Sequence, residues 1–408
     1  MKIIGVTLPY FIQNEAELIM CALDNGIDRM HIRKPDSTLY DFETLINNIK
    51  PEYRERITIH DHFNLAPKHS LGGIHVNSRN KEIPSNFNGI VSKSCHSLSE
   101  LEECKGFDYV TLSPIFNSIS KDNYKSNFSE EVLIEAKKNN IITSKIIALG
   151  GITEKNICKL QHYGFGGAAI LGYLWESSLA DEMKDRVEKI KRKCLMMDKW
   201  SLQYITHKND RFGYLEGALK AMEGGCRWIQ LRMKDTEEKE FIAIANELRK
   251  ACTFYNSIFI IDDHVELVDK CGADGVHLGK KDMKPSDARK LLGNKKIIGG
   301  TANTIEDIEN LILQEVDYIG AGPFRFTSTK KNLSTILGID GYCKITQFKK
   351  KINDYTPLVA IGGINSEDIE DIINCEINGI AVSGTILNAE NPSLKTKELI
   401  ETLKTYVK

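Results

Sequence analysis

Short apolar runs rich in valine, isoleucine and leucine alternate with longer amphipathic stretches along the whole chain. In the second half the apolar runs fall at 202–206, Trp228–Leu231, 257–261, Gly275–Leu278, 296–299, 318–320, Leu358–Ile361 and Gly379–Val382. Between them, segments such as 237–251 and 304–315 place apolar residues at helical spacing. β-Branched residues suit the extended backbone, and continuous apolar runs of this length predict strands buried on both faces of a parallel sheet. Eight strand–helix units within about 200 residues predict a (β/α)8 barrel. A doubly wound open sheet is the alternative, and it rarely needs eight such units.

The pattern is written twice. Ile32-Arg33-Lys34-Pro35-Asp36 is echoed by Leu231-Arg232-Met233-Lys234-Asp235, and Ile59-His60-Asp61-His62 by Ile261-Asp262-Asp263-His264. Gly73-Ile74-His75-Val76 matches Gly275-Val276-His277-Leu278, and Asp108-Tyr109-Val110 matches Asp317-Tyr318-Ile319. Ala148-Leu149-Gly150-Gly151-Ile152 matches Ala360-Ile361-Gly362-Gly363-Ile364. The separation grows in order, from 199 residues at Arg33 and Arg232 to 202 at Asp61 and Asp263 and 212 at Gly151 and Gly363. Small loop insertions between two copies of one unit produce such a drift. The expected architecture is α/β, two tandem (β/α)8 TIM barrels over residues 1–195 and 200–408. The charged helical stretch 182–193 closes the first, and the junction lies near 194–199.

Composition narrows the class. With 408 residues, 41% hydrophobic and 27% charged, the chain has the make-up of a globular protein long enough for two cores. A net charge of −2 argues against a nucleic-acid partner, although a local basic pocket would not show in it. No apolar run reaches the roughly 18 residues that span a bilayer. Met1 to Thr7 reads as a first buried strand rather than a signal peptide. The ten cysteines are scattered, with no C-x-x-C pair, and predict reduced thiols in a cytoplasmic protein rather than zinc or disulfide sites. The oligomeric state stays open, a homo-oligomer included.

In a barrel of this kind the chemistry sits where strands end at the C-terminal face. After the second strand of the second half come Gln230, Arg232 and Lys234, which strand alternation turns to one side. A guanidinium fork and an ammonium point charge suit a diphosphate; a solvated strand end is the plainer reading. Asp262 and Asp263 follow the third strand, and Asp282 the fourth. Clustered carboxylates repel unless a cation offsets them, and hard oxygen ligands beside phosphate groups favour magnesium. By itself, Asp-Asp is also a common helix start. After the fifth strand Thr301 offers a hydroxyl. After the sixth, Thr327, Ser328, Thr329 and Lys330 form a donor-rich loop suited to closing over a ligand. Gly363 after the seventh strand, with Val382 and Ser383 at the eighth, matches the phosphate cradle recurrent in these barrels. Two phosphate regions, one built around a metal, suit an enzyme that joins two phosphorylated small molecules and releases pyrophosphate.

At these residues the second half, from Trp200 to Lys408, resembles thiamine phosphate synthases. The resemblance rests on Gln230-x-Arg232-x-Lys234, Asp262-Asp263, Gly275-Val276-His277-Leu278-Gly279-x-x-Asp282, Gly322-Pro323, Thr327-x-Thr329-Lys330-Lys331 and Ile361-Gly362-Gly363-Ile364. It implies a (β/α)8 barrel that joins an aminopyrimidine methyl diphosphate to a thiazole phosphate with Mg2+. It also implies roles. Gln230, Arg232 and Lys234 would bind the pyrimidine diphosphate, with Asp262 beside the pyrimidine and Thr301 in a place usually held by serine. Asp263 and Asp282 would hold magnesium, and Lys330 would contact the diphosphate. Thr327, Ser328, Thr329, Gly363, Val382 and Ser383 would line the thiazole phosphate side. The implied mechanism is dissociative, with Arg232, Lys234 and Lys330 stabilising the departing pyrophosphate.

The first half resembles the same superfamily with losses in the site. His31-Ile32-Arg33-Lys34 keeps the arginine, shifts the lysine and replaces the glutamine; His60-Asp61 keeps one carboxylate; Asn80 stands in the place of Asp282. Ser94-Cys95-His96-Ser97 is similar to a segment of thiazole tautomerases, where a histidine moves a proton. Histidine is the side-chain type best suited to proton transfer near neutral pH, so His96 suits that work. His31, His60, His62 and His75 read equally as hydrogen-bonded interior residues. A tautomerase, a degenerate barrel kept for assembly, and a second synthase are the three readings of this half. For the whole chain the rivals are a non-catalytic binder or sensor of phosphorylated thiamine precursors, and another phosphate-binding barrel enzyme such as an isomerase.

Overall fold

Among the described residues, sixteen strands close into two barrels of eight parallel strands each. The computed structural model describes residues 1–104, 106–117, 126, 128–197, 201–326 and 336–406, except the side chains of 196 and 197. It divides into two compact units, Met1–Cys194 and Leu195–Lys408. The boundary falls inside the long helix Ala180–Met197.

The first barrel runs β1 (Lys2–Val6), β2 (Arg29–Ile32), β3 (Ile57–Ile59), β4 (Gly73–Val76), β5 (Ile90–Cys95), β6 (Tyr109–Leu112), β7 (Ile146–Leu149) and β8 (Gly167–Ile170). The second runs β9 (Leu202–Ile205), β10 (Trp228–Leu231), β11 (Ile258–Asp262), β12 (Gly275–Leu278), β13 (Ile297–Ala302), β14 (Tyr318–Ala321), β15 (Leu358–Ile361) and β16 (Gly379–Val382). In each, every strand pairs with the next in sequence and the last returns to the first. Most strand residues are buried, because one face meets the barrel interior and the other the ring of helices.

Local chemistry sets the ends of the elements. The hydroxyl of Thr304 accepts from the Asp307 N–H while the Asp307 side chain accepts from the Thr304 N–H, capping the helix Ile305–Leu313 reciprocally. Pro285 opens the helix Pro285–Leu292, where its missing N–H costs nothing. At the opposite face from the predicted site, carboxylates hold strands together. Asp274 accepts from the Phe259 N–H at 2.7 Å and Asp317 from the Ile298 N–H at 2.9 Å. Asp317 is fully buried and is paired with Arg289 at 2.6 Å, which offsets its desolvation.

The expectation that all ten cysteines are reduced is overturned. Cys343, on the helix Gly338–Lys351, and Cys375, just after the helix Ile369–Asn374, form a disulfide across 32 residues. Successive outer helices bring the two Cα atoms to 5.0 Å, a juxtaposition that no short-range cysteine spacing announces. The other eight are thiols. Among the described residues no helix is long and apolar enough to cross a membrane.

Candidate active site

The strand ends of the second barrel bring Gln230, Arg232, Asp262, Asp263, Asp282 and Thr301 to one mouth. Gln230 sits inside β10 rather than after it and is buried. Its amide donates to Asp262 Oδ1 at 2.6 Å and its carbonyl oxygen accepts from Gln203 Nε2 at 2.9 Å. Asp262 Oδ2 meets Arg232 Nε at 3.1 Å. Thr301 also lies within its strand, since β13 extends to Ala302, three residues beyond the predicted end. Lys234 is exposed beyond the end of β10, so the predicted cation pair is graded, with Arg232 half-buried and the lysine at the rim.

The adjacent carboxylates are divided between two duties. Asp262, buried, faces Gln230 and Arg232. Asp263 adopts φ 65°, a left-handed conformation that turns it out of the strand. Its side chain shares a hydrogen bond with Asp282, and Asp282 is tethered by the Gly279 N–H at 2.7 Å. The Asp263 residue is open to solvent, yet protein atoms crowd its carboxyl. Desolvation, then the hydrogen bond and charge of Asp282, push its pKa up to about 6 against the opposing charges of Arg232 and His264. A carboxyl raised by burial and by a second carboxyl beside it is one that a divalent cation would relieve. The predicted pair Asp263 and Asp282 is brought side by side, and carboxylate oxygens are the donor type a hard cation takes.

Below the mouth runs a hydrogen-bonded chain the sequence reading missed. Gln203 Nε2 approaches Tyr318 Oη at 3.4 Å, Tyr318 Oη meets His277 Nδ1 at 2.9 Å, and His277 Nε2 meets Thr301 Oγ1 at 2.8 Å. With Gln230 and Asp262 it links Arg232 to Thr301 across strands from β9 to β14. Gly299 makes room for it: a Cβ there would lie 2.2 Å from Tyr318 Cζ. Buried polar groups so fully partnered hold one arrangement. The paired motif around His277 and Tyr318 in both halves was the available signal.

On the other side of the mouth, Gly362 and Gly363 have φ of 104° and 71° at the end of β15. A Cβ on Gly362 would come within 2.8 Å of Pro323. Arg325 N–H donates to the Gly362 carbonyl at 3.1 Å, which ties the start of the sixth loop to this turn. Val382 ends β16, buried, and Ser383 follows it directly. Thr327, Ser328, Thr329 and Lys330 lie outside the described residues.

The first barrel repeats the frame and changes the chemistry. Asp61 Oδ1 accepts from Asn80 Nδ2 at 3.0 Å and faces Arg79 at 3.2 Å, so protein groups take the places of a second carboxylate and a cation. Lys34 is tied into the loop after β1: its ammonium donates to Leu8 O at 2.9 Å, Tyr10 O at 2.5 Å and buried Glu15 at 2.6 Å. The positions of Gln230, Asp262 and His277 carry His31, His60 and His75, all buried. Burial holds the His31 and His60 imidazoles well below 6.5 and brings His75 down to about 3. They are interior residues, as one of the two sequence readings had it. His96 is exposed just past β5, with Nδ1 3.3 Å from both the carbonyl and the hydroxyl oxygen of Ser113. Gly150 and Gly151 keep the left-handed pair, with φ of 104° and 65°.

A family model described as thiamine monophosphate synthase matches residues 3–174 and again 202–386. The chain belongs to the thiamine monophosphate synthase family. Both barrels fall within the match, so the family frame is present twice. The thiamine-phosphate synthase of Bacteroides thetaiotaomicron is 54% identical over 200 residues, covering 49% of this chain and 96% of the relative. That of Phocaeicola vulgatus is 54% identical over 199 residues, covering 49% and 96%. A solved thiamine phosphate pyrophosphorylase from Bacteroides thetaiotaomicron, 37% identical, matches 48% of this chain and 98% of its own with a TM-score of 0.44. About half of this chain therefore spans nearly the whole of each of the two synthases.

Proposed function

We propose that the second barrel is a thiamine phosphate synthase. It joins 4-amino-2-methyl-5-(diphosphooxymethyl)pyrimidine to 4-methyl-5-(2-phosphooxyethyl)thiazole, or its carboxylated form, and releases pyrophosphate. The observation that carries the reading is the Asp263 carboxyl, raised to about 6 by burial and by its neighbour Asp282, with the charge of Arg232 opposing the shift. A mere phosphate binder or an isomerase has no need of that pair.

In this reading Asp263 and Asp282 would hold Mg2+, which would supply charge neutralisation for the diphosphate. Gln230 and Asp262, fixed by the chain through Gln203, Tyr318 and His277, orient the aminopyrimidine through its polar edge. Arg232 and Lys234 take up negative charge as the bond between the methylene carbon and the diphosphate oxygen breaks, its electron pair leaving with pyrophosphate. The pyrimidine cation is stabilised by its own ring, and the thiazole nitrogen supplies the electron pair for the new carbon–nitrogen bond. No protein nucleophile takes part. Gly363, Val382 and Ser383 bound the thiazole phosphate side; Thr301 closes the floor. The roles of Thr327, Ser328, Thr329 and Lys330 in phosphate binding rest on sequence alone.

A pyrophosphate-release assay of the full chain with both substrates and magnesium tests the reading. Turnover that EDTA abolishes and magnesium restores supports it. Full turnover in EDTA, or none with either thiazole, contradicts it.

The exposed position of His96 beside Ser113 supports a separate role for the first barrel as a thiazole phosphate tautomerase, with His96 carrying the proton. Loss of tautomerisation in His96→Ala, with pyrophosphate release unchanged on the aromatic thiazole, is the expected result. Unchanged tautomerisation contradicts it.

A further inference from the structure

Three imidazoles meet inside the first barrel, on adjacent strands. His31 belongs to β2, His60 directly follows β3 and His75 belongs to β4. One nitrogen from each lies within 4.8 Å of the other two. His31 Nδ1 is 2.9 Å from His60 Nε2, and the rings of His60 and His75 stack with centroids 4.2 Å apart. We propose that His31, His60 and His75 form a binding site for a first-row transition ion of the zinc class.

The chemistry of the donors selects the ion. Three neutral nitrogens suit zinc, copper, nickel or cobalt, whereas magnesium and calcium require oxygen. Asp61, the nearest carboxylate in sequence, is held by Asn80, by Arg79 and by the Lys34 N–H at 3.1 Å, and it is not one of the three donors. Ligands about 2.0–2.1 Å from a tetrahedral ion stand roughly 3.3 Å apart. His31 and His60 need only part slightly, and His75 close in, to reach that spacing.

Two of the three rings have outer contacts of the kind that orient a metal-bound imidazole. His31 Nε2 meets Tyr109 Oη at 2.5 Å, leaving Nδ1 for the ion. His75 has Ser92 Oγ at 2.8 Å from Nδ1 and Ser94 Oγ at 2.9 Å from Nε2, so one hydroxyl can fix its tautomer. Burial keeps all three rings unprotonated, the state that binds metal. Three histidines leave a fourth position open, as in reactive rather than structural zinc sites. Neutral ligands do not compensate the ion's charge, and Arg33 and Arg79 act on His60 with the same sign. The fourth position therefore calls for an anion, either hydroxide or a phosphate oxygen.

The second barrel has glutamine and aspartate in place of His31 and His60, which makes the test selective. Metal-free full-length Asp263→Ala protein, lacking a carboxylate of the other site, is titrated with Co2+ and followed by visible absorption and X-ray absorption. One tight equivalent with imidazole back-scattering is expected. It should weaken by about a hundredfold or more in both His31→Gln and His60→Gln. Circular dichroism melts matching the parent establish that these variants fold. No tight equivalent in the parent, or binding unchanged by both substitutions in folded protein, overturns the proposal in favour of a metal-free hydrogen-bonded triad.

Discussion

Asn80 Nδ2 donates to Asp61 Oδ1 at 3.0 Å, in the place where Asp282 shares a hydrogen bond with Asp263 in the second barrel. One amide for one carboxyl changes what the site demands. The first barrel satisfies its carboxylate with Asn80 and Arg79, and the second sets one carboxyl beside another. Asp282→Asn should accordingly recreate the first-barrel arrangement, with pyrophosphate release falling by about a hundredfold or more as charge stabilisation is lost. Steady-state kinetics against magnesium concentration check this, and wild-type magnesium dependence in the variant would contradict it.

The acid pair also gives stability a pH dependence. The Asp263 carboxyl titrates near 6 in the fold against 3.8 for an ordinary aspartate. Between those values the native state keeps a proton the unfolded chain has lost. Stability contributed by this group is present at low pH and declines as pH rises through the window. In EDTA, Asp263→Asn should gain stability relative to the parent between pH 4 and about 7. Chemical denaturation at both pH values reads the difference; a constant difference would count against the raised carboxyl. Cation affinity should weaken below about pH 6, because the ion must displace the proton.

Tyr318 crosses β13 only because Gly299 has no side chain. Gly299→Ala should displace the ring, cost about 1–3 kcal/mol through overpacking, and loosen the chain from Gln203 to Thr301. The expected kinetic sign is a raised KM for the pyrimidine diphosphate, measured alongside a thermal melt. Unchanged KM and stability would remove Tyr318 from its positioning role.

Lys34 and Glu15 are a buried pair, 1% and 3% exposed. Burial raises the Glu15 carboxyl and lowers the Lys34 ammonium, with their mutual contact opposing both shifts. Removing one partner strands the other, so Glu15→Ala should destabilise the first barrel by about 3–5 kcal/mol. A thermal scan should then show the first barrel melting early while pyrophosphate release survives at lower temperature. A single unshifted transition would contradict this.

The barrels were legible because apolar runs and helical periodicity are local signals, and the repeat supplied each strand with a second copy. The apolar pattern ends β13 too early because Thr301 and Ala302 look like loop residues, whereas in the fold His277 bonds the Thr301 hydroxyl and the strand continues to Ala302. Asp263 and Asp282 were legible because strand ends converge at one face. The chain through Gln203, His277 and Tyr318 was not, since its bonds join strands separated by up to 115 residues. The Cys343–Cys375 disulfide was hidden for the same reason, and the burial of Lys34 depended on a loop whose path the pattern does not encode.

The most direct test of the division of labour compares Asp263→Ala with Asp61→Ala in the full chain, by pyrophosphate release with both substrates and magnesium. Asp263→Ala should abolish turnover, and Asp61→Ala should leave it near the parent value. Turnover retained in Asp263→Ala, or lost in folded Asp61→Ala, would contradict the assignment of synthase chemistry to the second barrel.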